Sequence, residues 1–210
     1  MNPSEIGSLL MQAQASYEAS PAGIHTFALY WITWEAYRTR MLAVATRLRG
    51  WRIADAYLAI GTRKISTQKI YKRCFKGVTG VELSEQPGIV ARVLSNLDLI
   101  ESLRQRLIHG YRSANPELIQ ASNEFLDAIL THHEKVFGKI VLPLQDGTQI
   151  QLGNVLAKRP CGGRGIPIQN NYELLKPCFE LKDTAKRDGL PDRSIVHTLE
   201  KIVVHLRSGQ

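Results

Sequence analysis

Ile89-Val-Ala-Arg-Val-Leu-Ser-Asn-Leu-Asp-Leu-Ile-Glu-Ser-Leu-Arg-Gln-Arg-Leu-Ile-His-Gly-Tyr111 is the stretch on which the fold turns. Val93, Leu97, Ile100, Leu103 and Leu107 recur at helical spacing, so one face is apolar and the rest is polar. The pattern predicts a helix from about Ile89 to His109, with Gly110 positioned to adopt a left-handed conformation and end it. The same close sets Arg104, His109 and Tyr111 near one helix end. A permanent cation, a group that titrates near neutral pH and a phenol are suited to handling a phosphodiester.

Helical periodicity extends outward from this segment. Asn2 reads as the N-cap of a helix from Pro3 to about Ala19, with Ile6, Leu9, Leu10 and Ala13 inward. Pro21-Ala22-Gly23 breaks it, and a long helix runs from Ile24 to Leu48, ended by Gly50. Its stripe is Ile24, Phe27, Ala28, Trp31, Leu42, Ala45 and Leu48, interrupted by Glu35 and Arg38. A carboxylate on a core-facing stripe is costly unless paired, which singles out Glu35. A short helix from Trp51 to Ile60 and another from Thr67 to Phe75, capped by Ser66, are expected next. Gly77, Gly80, Pro87 and Gly88 mark loose connections. Ser113 or Asn115 caps a helix from Pro116 to Phe137, ended by Gly138.

The pattern then changes. Segments 139–144 and 148–152 flank Asp146-Gly147, a strong signal for a two-residue hairpin turn. A Gly/Arg-rich loop, Arg159 to Gly165, follows. Residues 171–188 are ambiguous and interrupted by Pro177. Pro191-Asp192 opens a last helix with Ile195, Leu199, Ile202 and Leu206 on one face. The expected fold class is all-α: an antiparallel bundle of roughly four to six helices over residues 1–138. An extension over 139–210 carries the hairpin (140–152), the Gly/Arg loop and the terminal helix, packed on the bundle.

The formal net charge of +8 is unevenly spread. Between Arg38 and Lys76 stand eleven Lys/Arg and one acid, Asp55. Such concentration is the footprint of a polyanion partner, nucleic acid foremost. A solvated basic face and an anionic membrane surface are the other readings. Trp51, Tyr57, Tyr71 and Phe75 are interleaved, as bases stacking on aromatics would require, although aromatics at helical spacing also build cores. No run reaches a membrane span, and Met1 to Gln14 lacks the features of a signal peptide. Three cysteines, Cys74, Cys161 and Cys178, read as reduced thiols, so a cytoplasmic location is expected.

His132 and His133 are adjacent and point about 100° apart, and no CxxC or HExxH spacing occurs, so no metal or other cofactor is expected. Arg159 to Gly165 lacks P-loop spacing. Arg104 and His109 lie about 140° apart around their helix, so one copy does not stack them on one face. Two copies across a two-fold axis would bring them together. From the residues alone, the reading favoured over catalysis is that His109 and Arg106 complement the helix C-terminus.

Arg104-Gln-Arg-Leu-Ile-His109-Gly-Tyr111 resembles the Arg-x4–6-His motif of the HEPN superfamily, all-helical proteins many of which are metal-independent ribonucleases of toxin–antitoxin and anti-phage systems. The preceding long helix with an embedded acid, here Glu35, also resembles the family. The likeness spans roughly residues 24–137. Gln105 departs from it, since the family usually has Asn or another small polar residue there.

The resemblance implies a HEPN-type bundle and RNA cleavage by 2′-OH transesterification, with Arg104 and His109 as the catalytic pair in a homodimer cleft. Glu35, Gln105 and Tyr111 would support them. Glu35 would bond Arg104 or His109, or pair locally with Arg38. From the charge pattern, Arg63, Lys64, Lys72 and Arg73 would bind RNA, and Arg106 would hold a flanking phosphate or simply stand exposed on the surface. Tyr111 completes an extended motif in which a partner nucleotidyltransferase, the antitoxin, adenylylates the tyrosine; the plainer reading packs Tyr111 over the Gly110 turn. The alternative for the whole chain is a non-catalytic RNA-binding or adaptor module on the same scaffold.

Overall fold

The computed structural model describes residues 2–51, 60, 65, 67–108, 114–144, 146–157 and 192–208. These are mostly helical: α1 (Pro3–Ala19), α2 (Ile24–Leu48), α3 (Gln68–Thr79), a 3-10 turn (Leu83–Glu85), α4 (Ile89–Ile108), α5 (Pro116–Thr131), α6 (His133–Phe137) and α7 (Asp192–Ser208). The hairpin strands are β1 (Val141–Pro143) and β2 (Gln149–Gln151). The expected helix from Trp51 to Ile60, the Gly/Arg loop and residues 171–188 fall on positions outside those described, apart from Trp51 and Ile60 themselves.

The chain divides into two compact units that do not follow chain order. The first comprises Met1–Tyr37, Arg92–His133 and Ala185–Gln210. Here α1 begins with a capping box: the Asn2 side chain accepts from the Ser4 amide at 3.3 Å and Glu5 accepts from the Asn2 amide at 3.0 Å. The α1–α2 turn is held by the Thr26 hydroxyl, which lies within 3.1 Å of the Ser16 and Ser20 carbonyls. The inward stripe of α4 is almost fully sealed, with Val93, Leu97, Ile100 and Leu103 at most 1% exposed. Asn115 caps α5 by accepting from the Glu117 amide at 3.0 Å. Helices α5 and α7 pack along each other, and Ile195, Leu199, Ile202 and Leu206 are buried.

The second unit comprises Arg38–Ala91 and Glu134–Thr184. It holds the far end of α2, which closes in a Schellman motif. The Gly50 amide donates to Arg47 and the Trp51 amide to Thr46, with Gly50 at φ 87°. Strands β1 and β2 pair antiparallel, Leu142 opposite Ile150. The ladder is prolonged by the Leu152 amide to Ile140 and the Gly153 amide to Gly138, both 2.8 Å.

Five expectations need correction. Helix α2 is buried on most of its circumference between Tyr30 and Thr46 rather than along one stripe, and Ile24 at its start is 54% exposed. Helix α3 is capped by Thr67, whose hydroxyl accepts from the Ile70 amide at 3.2 Å. It continues through Gly77 to Thr79 before Gly80 closes it. A glycine inside a helix costs about 1 kcal/mol, and the buried side chains of Phe75, Val78 and Thr79 outweigh that.

The helix expected to reach Phe137 breaks at His132 (φ −103°, ψ 27°). The reason is local: His133 Nδ1 lies 2.9 Å from the Leu130 carbonyl, which a continuous helix would offer to the amide four residues on. The His132–His133 pair is half-buried, with His133 edge-on to Tyr37 at 5.3 Å. Finally, the hairpin does not close on a two-residue turn: the Leu144 amide donates to Thr148 and the Gly147 amide to Leu144, with Gly147 at φ 82°. Asp146 accepts from both the hydroxyl (2.6 Å) and the amide (2.9 Å) of Thr148, which holds its carboxyl below the usual carboxylate range.

Two alanine substitutions should move stability in opposite directions. A Cβ at Gly50 or at Gly7 would meet nothing within 4 Å, so backbone conformation alone decides. Gly50→Ala should cost about 1 kcal/mol or more because of its positive φ, and Gly7→Ala, inside α1, should gain up to about 1 kcal/mol. Urea unfolding of the two variants checks both signs.

Candidate active site

Arg104 and Arg106 are presented near the C-terminal end of α4, Arg106 in its last turn, two residues and therefore about 200° apart, so they leave the helix on opposite sides. Arg104 turns toward α2 and Arg106 toward α7. Arg104 Nη2 lies 4.0 Å from Glu35 Oε1, and Arg106 Nη2 lies 3.8 Å from Asp192 Oδ1. Both separations exceed hydrogen-bond length, so these are ion pairs without a shared proton. Their side chains are a quarter to a third exposed, a setting in which an ion pair is worth about 0–1 kcal/mol.

Glu35 is fixed more firmly than its ion pair implies. The Trp31 indole N–H, one helical turn earlier, donates to Glu35 Oε1 at 2.9 Å. Trp31 is 1% exposed and stacks on Phe27 with centroids 6.3 Å apart. A carboxylate on the core-facing stripe is thus met by an indole on one side and a guanidinium on the other. Arg38, one turn further along α2, is set deeper in the interior. It is 1% exposed, donates from Nη2 to the Ile65 carbonyl at 2.8 Å and lies over the Tyr71 ring at 6.0 Å.

The Arg104 Nε–H is buried and finds no acceptor among the described residues. An unsatisfied donor on a cation in such a position is a standing cost of about 1–3 kcal/mol. An anion brought against α4 would remove it. Gln105 is half-buried between the two arginines. His109 and Tyr111 lie outside the described residues, as do Arg63, Lys64 and Tyr57.

The basic segment splits into two kinds of cation. Arg38 and Arg40 are at most 4% exposed and belong to the interior. Trp51, Tyr71 and Phe75 are core residues at most 3% exposed, so none of these aromatics is a surface platform for a base. On α3, by contrast, Lys69, Lys72, Arg73 and Lys76 recur at three- and four-residue steps opposite the buried Tyr71, Cys74, Phe75 and Val78. They form a basic stripe about 10 Å long at 1.5 Å per residue. Lys76 also holds Glu82 at 3.0 Å.

Sequence reasoning missed a second polar cluster, in the first unit. Asp127 Oδ1 accepts from Gln14 at 2.9 Å and from the Tyr30 hydroxyl at 3.2 Å, and Arg207 lies 3.9 Å from Oδ2. Tyr17 donates to Glu124 at 2.7 Å. Tyr17, Asp127 and Arg207 each read alone as surface residues; only the packing of α1, α2, α5 and α7 joins them. Burial, then the Glu124 hydrogen bond, pushes the Tyr17 phenol up to about 12, and burial followed by Asp127 raises Tyr30 further. A groove of about 390 Å³ beside this cluster is lined by Glu117, Gln120, Ala121, Glu124, Val196 and Glu200. Its three carboxylates repel a phosphate backbone, so the groove does not compete with Arg104 as an anion site.

Among the described residues no three His, Cys, Asp or Glu side chains gather as metal ligands, and no helix is long and apolar enough to cross a membrane. Comparison of the chain with protein-family models, with curated proteins and with solved structures finds no match.

The tyrosine cluster predicts an alkaline transition. The fold favours the neutral phenols, so their contribution is complete below pH 10, the ordinary tyrosine value, and is lost as pH rises through about 12. Tyrosinate absorbance during an alkaline titration should show late-titrating phenols, one fewer in Tyr17→Phe. Titration of every tyrosine near pH 10 in folded protein would contradict the cluster.

Proposed function

We propose that the chain is a metal-independent endoribonuclease of the HEPN type, which cleaves RNA by intramolecular transesterification. The observation that carries this reading is the Arg104 guanidinium. It lies five residues before the motif histidine in the sequence, and among the described residues its buried Nε–H lacks an acceptor and its ion pair to Glu35 is long. The resemblance of Arg104-Gln-Arg-Leu-Ile-His109-Gly-Tyr111 to the family motif supplies the reaction class.

In this mechanism the ribose 2′-OH attacks the adjacent phosphorus as His109 accepts its proton. The O2′–P bond forms, the P–O5′ bond breaks and the departing 5′-oxygen takes up a proton. Arg104 stabilises the charge that builds on the phosphorane oxygens, and its planar fork matches their geometry. Glu35, held by Trp31, orients Arg104. The products carry a 2′,3′-cyclic phosphate and a 5′-OH. At helical spacing the five-residue step from Arg104 to His109 corresponds to about 140°, so a two-fold homodimer is the arrangement that would gather two arginines and two histidines around one phosphate.

Lys72 and Arg73 on α3, with Arg63 and Lys64 earlier in the same basic segment of the sequence, bind RNA phosphates in this reading. A toxin or anti-phage role fits such a nuclease, with a nucleotidyltransferase antitoxin adding bulk and negative charge at Tyr111 to close the cleft. Gln105, where the family usually has a smaller polar residue, favours a second reading: a non-catalytic RNA-binding module on the same scaffold.

Arg104→Ala and His109→Ala should each lower RNA cleavage at least about 100-fold while the circular dichroism spectrum is retained. The reaction as written uses no metal, so cleavage should persist in EDTA. Full activity of folded His109→Ala, or loss on chelation, contradicts the mechanism; RNA binding without cleavage by wild-type protein selects the second reading.

RNA affinity should depend on salt through the basic segment. Neutralising Arg63, Lys64, Lys72 and Arg73 together should flatten the slope of log K against log salt by up to about four times 0.7. An unchanged slope removes this face from the RNA path.

A further inference from the structure

Arg106 is the second cation at the C-terminal end of the motif helix, on the side away from Arg104, and the structure shows its guanidinium facing a carboxylate. Asp192, the first residue of α7, holds Oδ1 3.8 Å from Arg106 Nη2, with both side chains about one third exposed. A carboxylate has the charge and planar two-oxygen edge that a guanidinium reads in a phosphate, so the two compete for one fork. The contact is displaceable, because it is too long for a hydrogen bond and solvent reaches both partners. It is also held in place: α7 is anchored on α5 by Ile195, Leu199, Ile202 and Leu206, which keep the helix, and Asp192 at its head, where they are.

Resting on the nuclease reading for its ligand, we propose that Asp192 is a built-in phosphate surrogate that occupies Arg106 and sets the RNA affinity of the α4 end. α7 thereby acts as a resident competitor, and an RNA strand gains Arg106 only by displacing Asp192. The device limits binding to ligands that bring enough other phosphate contacts to pay for the exchange. Asp192 is a positioning residue in this scheme, since it acts through Arg106.

The test is equilibrium binding of a fluorescein-labelled single-stranded RNA at several salt concentrations, with full-length wild type, Asp192→Asn, Arg106→Gln and the double variant. Asparagine keeps the size of the side chain and removes its charge. Asp192→Asn should tighten binding by up to about fivefold, the ceiling set by an exposed ion pair. The salt slope should steepen by about 0.7, the signature of one more phosphate neutralised. Both gains should vanish in the double variant, which should match Arg106→Gln. An unchanged affinity in Asp192→Asn, or the same gain with and without Arg106, overturns the competition. Because the readout is binding, these outcomes are separate from the catalytic reading: inactive Arg104→Ala protein should show the same Asp192 effect. Failure of every variant to bind RNA would overturn both.

Discussion

A charge carried into a protein interior must be met there, and α2 imposes that constraint on the whole chain. This helix is buried on most of its circumference yet carries Glu35, Arg38 and Arg40 within six residues. Its neighbours are recruited accordingly. Glu35 takes the Trp31 indole and faces Arg104. Arg38 takes the Ile65 carbonyl and the face of Tyr71. An uncompensated charge at Arg38, which is 1% exposed, would cost several kcal/mol, comparable with the whole stability of a domain, whereas solvent screens the third-exposed Glu35. The placement of the α4 end in the first unit and of α3 in the second is tied to these pairings, not to apolar burial alone.

Much of the helical scaffold was legible in the sequence, for physical reasons. Asn2-Pro3 and Asn115-Pro116 couple a capping side chain to a residue preset for the first helical turn, and both starts fall where expected. The α4 and α7 stripes have a single buried face, so periodicity reports them well. Periodicity fails where burial is two-sided: α2 shows an interrupted stripe because nearly all of it is inside. It also fails where one side chain redirects one backbone group, as His133 does at the end of α5. Asp146-Gly147 announced a hairpin, but whether the loop holds two or three residues depends on hydrogen bonds from Leu144 and Thr148, which composition does not encode.

The candidate site was legible in part. Arg104 and Glu35 stand together in the structure, and Glu35 stood out in advance as a carboxylate on an apolar stripe. The Arg106 partner was hidden, because Asp192 is 86 positions away in the chain and only the docking of α7 brings it near. The basic run looked uniform as a string, yet burial separates Arg38 and Arg40 from the α3 stripe. A count of charges cannot make that distinction, since a buried arginine and a solvated lysine contribute equally to it. In the proposed mechanism, the two arginines of the α4 turn divide the work: Arg104 serves the reacting phosphate and Arg106 a flanking one, each facing a carboxylate until RNA arrives.

The central claim is that an RNA 2′-hydroxyl is the nucleophile at a phosphate held by Arg104. The most direct measurement compares cleavage of a single-stranded RNA with that of the same strand carrying 2′-deoxy nucleotides at its cleavage sites, followed by analysis of the product ends. The account predicts 2′,3′-cyclic phosphate and 5′-OH ends from the RNA and no cut at any deoxy position. Cleavage at the deoxy positions, or products bearing 5′-phosphate, would contradict it.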